Sequence, residues 1–326
     1  MTIGITGAGG FIGSHLVERL LRDGRSVSAL DLAPTLPPNL SEWRDHPAFQ
    51  YHSGDIRDPR ALEPFLRDPM EAVFHLAATV GVRSYIETPL ETIDTIVGGT
   101  RNVVDACRRR DSRLIFLSTS EVYGKNPKIP WNEESDRVLG PSSFSRWSYS
   151  ASKGLCEHLV NAVHGAYGLP TTIIRPFNVY GPRQRPAFLV PATIYRTLRG
   201  ERPLVYDSGS QTRCFTYISD LVDGLSRALG PNAIGRTYNF GSEEEHTIAE
   251  VVDVVLRECG ASFAPSYVKT AQVLGDGYED VPRRVPDSSR AREELGWVAS
   301  TRLGEGVRAT VAWARQNPSW LANPVP

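Results

Sequence analysis

Tyr149 and Lys153 are the two residues whose spacing most directly suggests chemistry. They lie four positions apart in a segment with a helical pattern, so both side chains project from one face of the helix. A tyrosine with the ordinary pKa of about 10 is a poor base at neutral pH, and a neighbouring ammonium would lower that pKa. The pair therefore predicts a phenol that exchanges a proton with a substrate hydroxyl. The alternative is an exposed helix pair with no chemical role.

A second polar group follows the apolar run at 114–118, which we expect to be a strand. The sequence STSEVYG continues from Ser118, and side chains at the carboxyl ends of parallel strands are where such sheets place their chemistry. We expect Thr119 to hydrogen-bond the same substrate oxygen as Tyr149, with Ser120 and Glu121 beside it. The alternative is a polar loop, in which Glu121 serves only as a structural hydrogen-bond partner.

The segment TGAGGFIGS, at residues 6–14, has the pattern of a phosphate-binding turn between a strand and a helix. Gly7 would permit the tight turn, Gly10 would let the backbone approach a pyrophosphate, and Gly13 would let the helix pack on the sheet. The helix that starts at Phe11 and Ile12 offers unpaired N–H groups and the positive end of its dipole.

Residues after the next strands complete a predicted dinucleotide site. Asp31 ends the second strand and would accept both ribose hydroxyls of an adenosine. No Arg or Lys follows at positions 32–34, which favours NAD over NADP; the alternative is a solvated aspartate. Asp55 and Ile56 would bracket the adenine. Four small or apolar residues at the end of the fourth strand would leave room for the cofactor: Leu76, Ala77, Ala78 and Thr79.

The elements that must position these residues alternate regularly over the first half of the chain. We predict strands at 2–6, 26–31, 49–53, 72–77, 114–118 and 171–175, and helices at 11–22, 59–66, 90–109 and 151–167. This alternation is typical of an α/β protein with a Rossmann-type, doubly wound parallel sheet.

After Gly181 the alternation is lost, and helices are predicted only at 248–259 and 303–315. We therefore predict a cofactor-binding domain at 1–180 and a smaller substrate-binding lobe at 181–326. The chain should cross back to the first sheet near 212–240.

Composition excludes several other classes of function. The chain has 326 residues and a net charge of −1, so it offers no bulk attraction to nucleic acid or to an anionic membrane. No apolar run is long enough to span a bilayer, and no signal peptide is expected. The four cysteines are far apart and form no CxxC pair, so we expect reduced thiols, a cytoplasmic location and no metal site.

Taken together, the motifs resemble those of the extended short-chain dehydrogenases/reductases that act on nucleotide sugars. The resemblance covers essentially the whole chain and rests on TGAGGFIGS, Asp31, GDI, HLAA, STSEVYG, YSASK and RPFNVYGPR. It implies NAD as cofactor, held in part by Ser118, Tyr149 and Lys153. It also implies a nucleotide sugar as substrate, and a homodimer whose face is formed by residues 90–109 and 151–167.

Within this family, Thr119-Ser120-Glu121 is similar to the UDP-glucuronate decarboxylases, including UDP-xylose synthase and the decarboxylase of the aminoarabinose pathway. The 4,6-dehydratases have an aspartate at the position of Ser120, and UDP-apiose synthase has a cysteine there. The segment VGVRSYIETP is similar to UDP-glucuronate 4-epimerases, so epimerisation stays an alternative. A non-catalytic NAD sensor is a further one, although such proteins usually lose the tyrosine or the lysine.

The resemblance also implies substrate contacts in the second half of the chain. The stretches DSGSQTR, RWSYSASK and GDGYEDVPRRVPD (275–287) match the decarboxylases, and by this match Arg284 falls on the arginine that decarboxylation requires. The alternative is a surface pair with Arg283. The other residues implied to contact the substrate are Tyr85, Asn178, Arg185, Val205, Tyr206 and Arg213. Solvated loop cations explain Arg185 and Arg213 as well, and a strand in the core explains Val205 and Tyr206. His75 is expected to be structural.

Overall fold

A parallel sheet of seven strands forms the centre of the protein. The computed structural model describes residues 2–274 and 279–322. The strand order is β11-β6-β5-β4-β1-β2-β3, and every neighbouring pair is parallel. The strands are β1 (Thr2–Thr6), β2 (Ser26–Asp31), β3 (Phe49–Ser53), β4 (Ala72–His75), β5 (Arg113–Leu117), β6 (Thr171–Pro176) and β11 (Arg236–Phe240). The order reverses between β1 and β4, and ligands of such sheets bind at that reversal, beyond the carboxyl ends of the strands.

Helices cover both faces of this sheet, as alternating strands and helices predict. One face carries α1, α8 and α11, whose apolar residues share a core with β1, β2 and β11. The other face carries α2, α5 and α6. These helices are α1 (Phe11–Arg22), α2 (Leu62–Phe65), α5 (Gly99–Arg109), α6 (Ser148–Tyr167), α8 (Ile218–Arg227) and α11 (Ser289–Leu295).

The single helix predicted at 90–109 is wrong in one respect, because the structure divides it. A short α4 (Pro89–Ile93) leads into a π-helical segment, Asp94–Gly98, and then into α5. A π-helical turn widens the backbone ladder and shifts the following side chains around the axis. Gly99 follows the widened turn, where an added Cβ would lie 2.4 Å from Cδ1 of Ile56. A side chain at this position would therefore force Ile56 or the helix to shift.

The predicted helix at 59–66 is also shorter in the structure. Its first turn is 3-10, at Pro59–Ala61, and only Leu62–Phe65 is α-helical. By contrast, the predicted helix at 151–167 begins earlier, at Ser148, so that Tyr149 lies in the first turn of α6.

The second half of the chain builds a smaller lobe from short strands and helices. Its core joins α7, α9 and α12 through side chains such as Ile194, Val251 and Val307. The elements of the second half are β7 (Val179–Tyr180), α7 (Leu189–Leu198), β8 (Leu204–Tyr206), β9 (Thr212–Cys214), β10 (Thr216–Tyr217), β12 (Glu245–Thr247), α9 (Ile248–Cys259), β13 (Ser266–Val268), α10 (Thr270–Leu274), β14 (Arg283–Arg284), α12 (Leu303–Gln316) and α13 (Pro318–Ala322). One further short helix, α3 (Val82–Glu87), belongs to the first half.

The chain returns from this lobe to the central sheet, in the region where the sequence predicts a crossing. Helix α8 packs on α1, and β11 adds to the sheet beside β6. Strand β14 then pairs with β9 in the smaller lobe and places Arg284 opposite Arg213. In the part of the chain that the structure describes, no helix is long and apolar enough to cross a membrane.

Candidate active site

The glycine turn after β1 is packed directly against the segment that follows β4. Gly7 has a positive φ of 71°, and an added Cβ would lie 2.8 Å from the backbone of Ala77. An added Cβ at Gly13 would lie 2.3 Å from the carbonyl oxygen of Gly7. Helix α1 starts at Phe11, so the N–H groups of its first turn, including that of Ile12, have no partner within the helix. The turn therefore fits a pyrophosphate, which would accept from these N–H groups.

Asp31 lies at the end of β2, beside this turn. Its Oδ2 accepts from the N–H of Gly9 at 2.8 Å, and its Oδ1 accepts from the N–H of Ala33 at 3.4 Å. These bonds fix the carboxylate at the edge of the turn. A carboxylate has further lone pairs, so Asp31 can still accept from the hydroxyls of a ribose.

Asp55 and Ile56, which the sequence analysis expects to bracket the adenine, have protein partners in the structure. The N–H of Arg57 donates to Oδ1 of Asp55, and the Arg57 guanidinium donates to Oδ2 at 2.6 Å. Hydrogen bonding from Arg57 outweighs the effect of burial and lowers the pKa of Asp55. Ile56 is buried, and its carbonyl accepts from Asn102. An adenine bond to the Asp55 carboxylate would therefore have to share it with Arg57.

The segment after β4 forms the floor of the site. The N–H of Leu76 donates to the carbonyl of Thr6, and the N–H of Ala77 donates to the Thr6 hydroxyl. Ala78 and Thr79 follow and are half-buried.

His75, at the end of β4, has hydrogen-bond partners at both ring nitrogens. Nδ1 lies 2.8 Å from the Thr6 hydroxyl, and Nε2 lies 3.1 Å from the Thr100 hydroxyl. Burial, with a smaller effect of the charge on Lys153, lowers the pKa of His75 to about 3. The ring is therefore neutral at physiological pH, and its role is structural, as the sequence predicts.

Lys153 is buried beneath the site, one turn after Tyr149 in α6. Its Nζ donates to the carbonyl of Leu117 at 2.7 Å and lies 4.7 Å from the centroid of the Phe116 ring. Burial lowers the pKa of Lys153 to about 8, against the opposing effects of Cys156 and Glu157. The ammonium is thus still charged at neutral pH, although it is only 2% exposed.

Tyr149 differs from the sequence-based expectation in its protonation. Burial raises the pKa of its phenol, the negative charge of Glu121 raises it further, and hydrogen bonding from Thr119 acts in the opposite direction. The expected net lowering of the phenol pKa is therefore not found; the Lys153 ammonium donates to the carbonyl of Leu117. The Tyr149 ring stacks on that of Tyr85, with 5.4 Å between the centroids. Tyr85, which the resemblance implies as a substrate contact, therefore lies beside the phenol.

The polar segment after β5 turns sharply beneath Tyr149. The hydroxyl of Thr119 accepts from the N–H of Glu121 at 3.2 Å and so caps a short 3-10 turn, Ser120–Tyr123. Ser120 is 3% exposed. The hydroxyl of Ser118 is buried and has no hydrogen-bond partner among the described residues.

Glu121 is bound by two guanidinium groups. Arg146 donates from Nη1 to Oε2 at 2.6 Å, and Arg284 donates from Nη1 to Oε1 at 3.3 Å. Burial alone would raise the pKa of Glu121, but the charges and hydrogen bonds of the two arginines outweigh it and lower the pKa to about 2. Glu121 is therefore a carboxylate at neutral pH, close enough to Tyr149 to act on its phenol.

The two neighbouring arginines of β14 have different environments. Arg283 is exposed and pairs with Glu245, whereas Arg284 is 6% exposed and points toward Glu121. Arg284 is thus not part of a surface pair. Residues 275–278, which belong to the stretch on which its assignment rests, lie outside the described residues.

Most of the other residues expected to contact the substrate are buried or have protein partners. Asn178 has a φ of 35° and donates from Nδ2 to the carbonyl of Cys214. Arg213 is buried and pairs with Asp280 at 2.8 Å. The side chain of Val205 is fully buried, so a nucleobase could meet only its backbone, while Tyr206 is half-buried and Arg185 is exposed.

Arg146 is the one residue of this cluster that the sequence analysis did not single out. It lies three residues before Tyr149, in the RWSYSASK stretch that carries part of the resemblance. That position was the available signal, but the residue type alone does not separate a buried arginine from an exposed one.

Comparisons with known proteins agree with this geometry. The sequence profile of the family described as GDP-mannose 4,6 dehydratase matches residues 5–310. The chain is 36% identical to a UDP-N-acetyl-alpha-D-glucosaminuronate decarboxylase of Bacillus cytotoxicus, over 96% of this chain and 97% of that one. It is 32% identical to UDP-glucuronic acid decarboxylase 1 of Xenopus tropicalis, over 98% of this chain and 73% of that one.

Among solved structures, the chain is similar to the UDP-glucuronic acid 4-epimerase of Bacillus cereus, solved with UDP-glucuronic acid and NAD. The TM-score is 0.84 at 27% identity, covering 97% of this chain and 99% of that one. The whole chain, including its smaller lobe, is therefore built like enzymes that hold a dinucleotide and a nucleotide sugar together.

Proposed function

Because this chain belongs to the GDP-mannose 4,6-dehydratase family, within the extended short-chain dehydrogenases/reductases, we propose that it decarboxylates a UDP-linked hexuronate through a 4-keto intermediate. Its cofactor is NAD, for which the glycine turn and Asp31 provide a fitting cradle. The observation that carries the proposal is the buried pair of Glu121 and Arg284 beside Tyr149. This pair adds a carboxylate-binding guanidinium to a site already equipped for oxidation.

The first step requires removal of a proton from the 4-hydroxyl of the sugar. NAD, when bound, accepts the hydride from C4. Tyr149 takes the hydroxyl proton, and Thr119 donates a hydrogen bond to the same oxygen. The buried ammonium of Lys153 favours the phenolate once the positively charged nicotinamide is also present. The product of this step is a 4-ketone, which is beta to the C6 carboxylate.

The second step is loss of carbon dioxide. The bond between C5 and C6 breaks, and its electron pair moves to C5 and is delocalised onto the oxygen at C4. Tyr149 and Thr119 donate hydrogen bonds to this developing enolate. Arg284 binds the carboxylate in a planar fork and orients it for cleavage. Glu121, ionised and next to Ser120, orients Arg284, and the proton that C5 must regain comes from water.

Epimerisation of a UDP-hexuronate at C4 is the second candidate. The similarity to the Bacillus cereus 4-epimerase favours it, and the reaction uses the same Thr119, Tyr149 and Lys153. The two reactions differ after oxidation. An epimerase turns the 4-keto sugar and reduces it from the other face, with the carboxylate retained, whereas a decarboxylase releases carbon dioxide. A nearby guanidinium that keeps the carboxylate in one position favours decarboxylation, because it prevents the sugar from turning.

One incubation separates these activities. The purified protein is given NAD and UDP-glucuronate or UDP-N-acetylglucosaminuronate, each labelled with ¹³C at C6, and the products are followed by mass spectrometry. We expect labelled carbon dioxide and either a UDP-pentose, if the hydride returns to C4, or a UDP-4-keto-pentose, if it does not. A product of unchanged mass would instead establish epimerisation. The control is Tyr149→Phe, which should give neither product.

Absence of any product from both hexuronates would contradict the proposal. The same assay with UDP-glucose and dTDP-glucose tests dehydration, which would lower the mass by one water. Ser120 stands where the dehydratases have an acid, so we expect no such product.

A homodimer in a reducing, cytoplasmic setting belongs to the same proposal. Helices α4 and α6 expose Leu90 (77%) and Leu155 (55%), which suit a helical dimer face. All four cysteines are free thiols. Light scattering should give a dimer mass for the wild type and a monomer mass for the double variant Leu90→Glu, Leu155→Glu; a wild-type monomer would contradict the assignment.

A further inference from the structure

The carboxylate of Glu121 is shared unequally between its two arginines. The hydrogen bond from Arg146 is 2.6 Å long, and that from Arg284 is 3.3 Å long. Charge-assisted hydrogen bonds are strongest near 2.7–2.9 Å and weaken as the distance grows. Arg146 therefore carries most of the pairing with Glu121.

Arg284 consequently keeps donor capacity that the described residues do not use. Its Nε is buried and has no hydrogen-bond partner in the described part of the chain. A buried donor without an acceptor is costly, and such an atom in a native site calls for an explanation. A planar carboxylate from a ligand, accepting from Nε and a terminal nitrogen together, would supply the missing partner.

The charges of the cluster lead to the same ligand. Two arginines and one glutamate leave one net positive charge, which one carboxylate would neutralise. If Arg146 were absent, Glu121 and Arg284 would form a one-to-one pair with no net charge. Arg284 would then be bound by Glu121 in the geometry that it should offer to the substrate.

Arg146 is held firmly in the position that this role requires. It is 1% exposed, and its guanidinium lies 5.0 Å from the ring of Trp147 and 5.7 Å from the ring of Tyr85. Aromatic faces attract a guanidinium and restrict its orientation. Tyr85 also stacks on Tyr149, so Arg146 is tied to the redox centre as well as to Glu121.

We propose that Arg146 is a positioning residue that determines the preference for a carboxylated sugar, because it binds Glu121 and leaves Arg284 to the carboxylate of the substrate. The inference rests on the proposed function and names the residue that selects its substrate class. It assigns Arg146 no contact with the substrate.

The test compares the affinity for UDP-glucuronate with that for UDP-glucose, which differs by lacking the carboxylate. Calorimetry is done on protein loaded with NADH, which cannot accept a hydride, so that neither ligand is turned over. We expect the wild type to prefer UDP-glucuronate. In Arg146→Met this preference should fall by about 10- to 100-fold, the size of one charge-assisted hydrogen bond, while the affinity for UDP-glucose stays nearly constant.

A double-variant cycle shows whether Arg146 acts through Glu121. In Glu121→Gln there is no carboxylate left to bind Arg284, so adding Arg146→Met to it should change the preference little, and the double variant should resemble Glu121→Gln alone. The comparison can also be made if Arg146→Met alone does not fold, because the double variant no longer contains the unpaired Glu121 carboxylate. Arg146→Lys keeps the charge and should keep most of the preference.

Arg292→Met is the control, because it breaks an exposed arginine–glutamate pair, with Glu243, outside the site. It should change neither affinity. Equal losses for both ligands in Arg146→Met, or an unchanged preference, would overturn the role of Arg146. A wild type that does not prefer UDP-glucuronate would instead overturn the proposed function itself, so the two failures are distinguishable.

Discussion

Burial of the Lys153 ammonium should make the stability of this protein depend on pH in an identifiable way. The pKa of Lys153 is about 8 in the folded protein and 10.5 at its ordinary value. Between these values the folded lysine has lost its proton and the unfolded one still holds it. The unfolded state therefore binds more protons in this window, and the free energy of unfolding rises with pH.

The size of the effect follows from the same two values. Integrating the difference in bound protons from pH 7 to pH 9.5 gives the wild type roughly 2 kcal/mol relative to a variant without the ammonium. Lys153→Met is such a variant, and Lys153 is only 2% exposed, so solvent screening does not reduce the effect greatly. The variant also loses the hydrogen bond to the carbonyl of Leu117, but that loss is largely independent of pH.

The measurement is urea unfolding of the wild type and Lys153→Met at pH 7 and pH 9.5. We expect the wild type to gain about 2 kcal/mol on the variant over this interval. Lys128→Met, which removes an exposed lysine, should stay parallel to the wild type. Parallel behaviour of Lys153→Met would refute the reasoning, because it would mean that burial does not perturb the ammonium.

Three further outcomes can be measured on the same protein. Tyr149→Phe should lower turnover by about 100- to 10,000-fold, as removal of a general base does, and leave NAD binding intact in a fluorescence titration; retention of a tenth of the activity would exclude the proton-transfer role. Arg284→Met should reduce release of labelled carbon dioxide by at least about 10- to 100-fold, the worth of a charged hydrogen bond, with unchanged affinity for NAD; full activity would remove Arg284 from the reaction. Asp31→Ser should weaken NAD binding by about 10-fold or more and improve binding of NADP relative to NAD, because it removes both the acceptor of the ribose hydroxyls and a charge that repels a 2′-phosphate. Equal selectivity in calorimetry would contradict that assignment.

The sequence was sufficient to predict the central sheet because local patterns specify it. Strands β1, β2 and β3 have the predicted bounds, because short runs rich in strand-forming residues and bounded by turn residues indicate strands where they alternate with helices. A return of the chain to this sheet near 212–240 was also predicted, and the structure adds that β11 lies beside β6. The division of the predicted helix at 90–109 was not predicted. The widened turn precedes Gly99, which packs on Ile56, and local patterns do not show a contact so distant in sequence.

The sequence indicated the cofactor side of the site through similarly local patterns. Glycines at a strand-to-helix turn and an aspartate at a strand end act through backbone geometry, which the spacing in the chain already defines. What spacing did not indicate was the set of existing partners. Asp55 is bound by Arg57, Asn178 donates to Cys214 and Arg213 pairs with Asp280.

By itself, then, the amino-acid sequence determined that a phenol and an ammonium share a helix face after a dinucleotide-binding strand order. One helical turn joins Tyr149 to Lys153, so their proximity needs no tertiary contact. Only the tertiary structure decided the protonation states of Tyr149 and Lys153 and the residues that contact them. Pairing of β14 with β9 brings Arg284 to Glu121 across 163 positions of the chain. In the folded protein Lys153 donates to the carbonyl of Leu117, and Glu121 accepts from Arg146, because a charge removed from water needs a partner inside the fold.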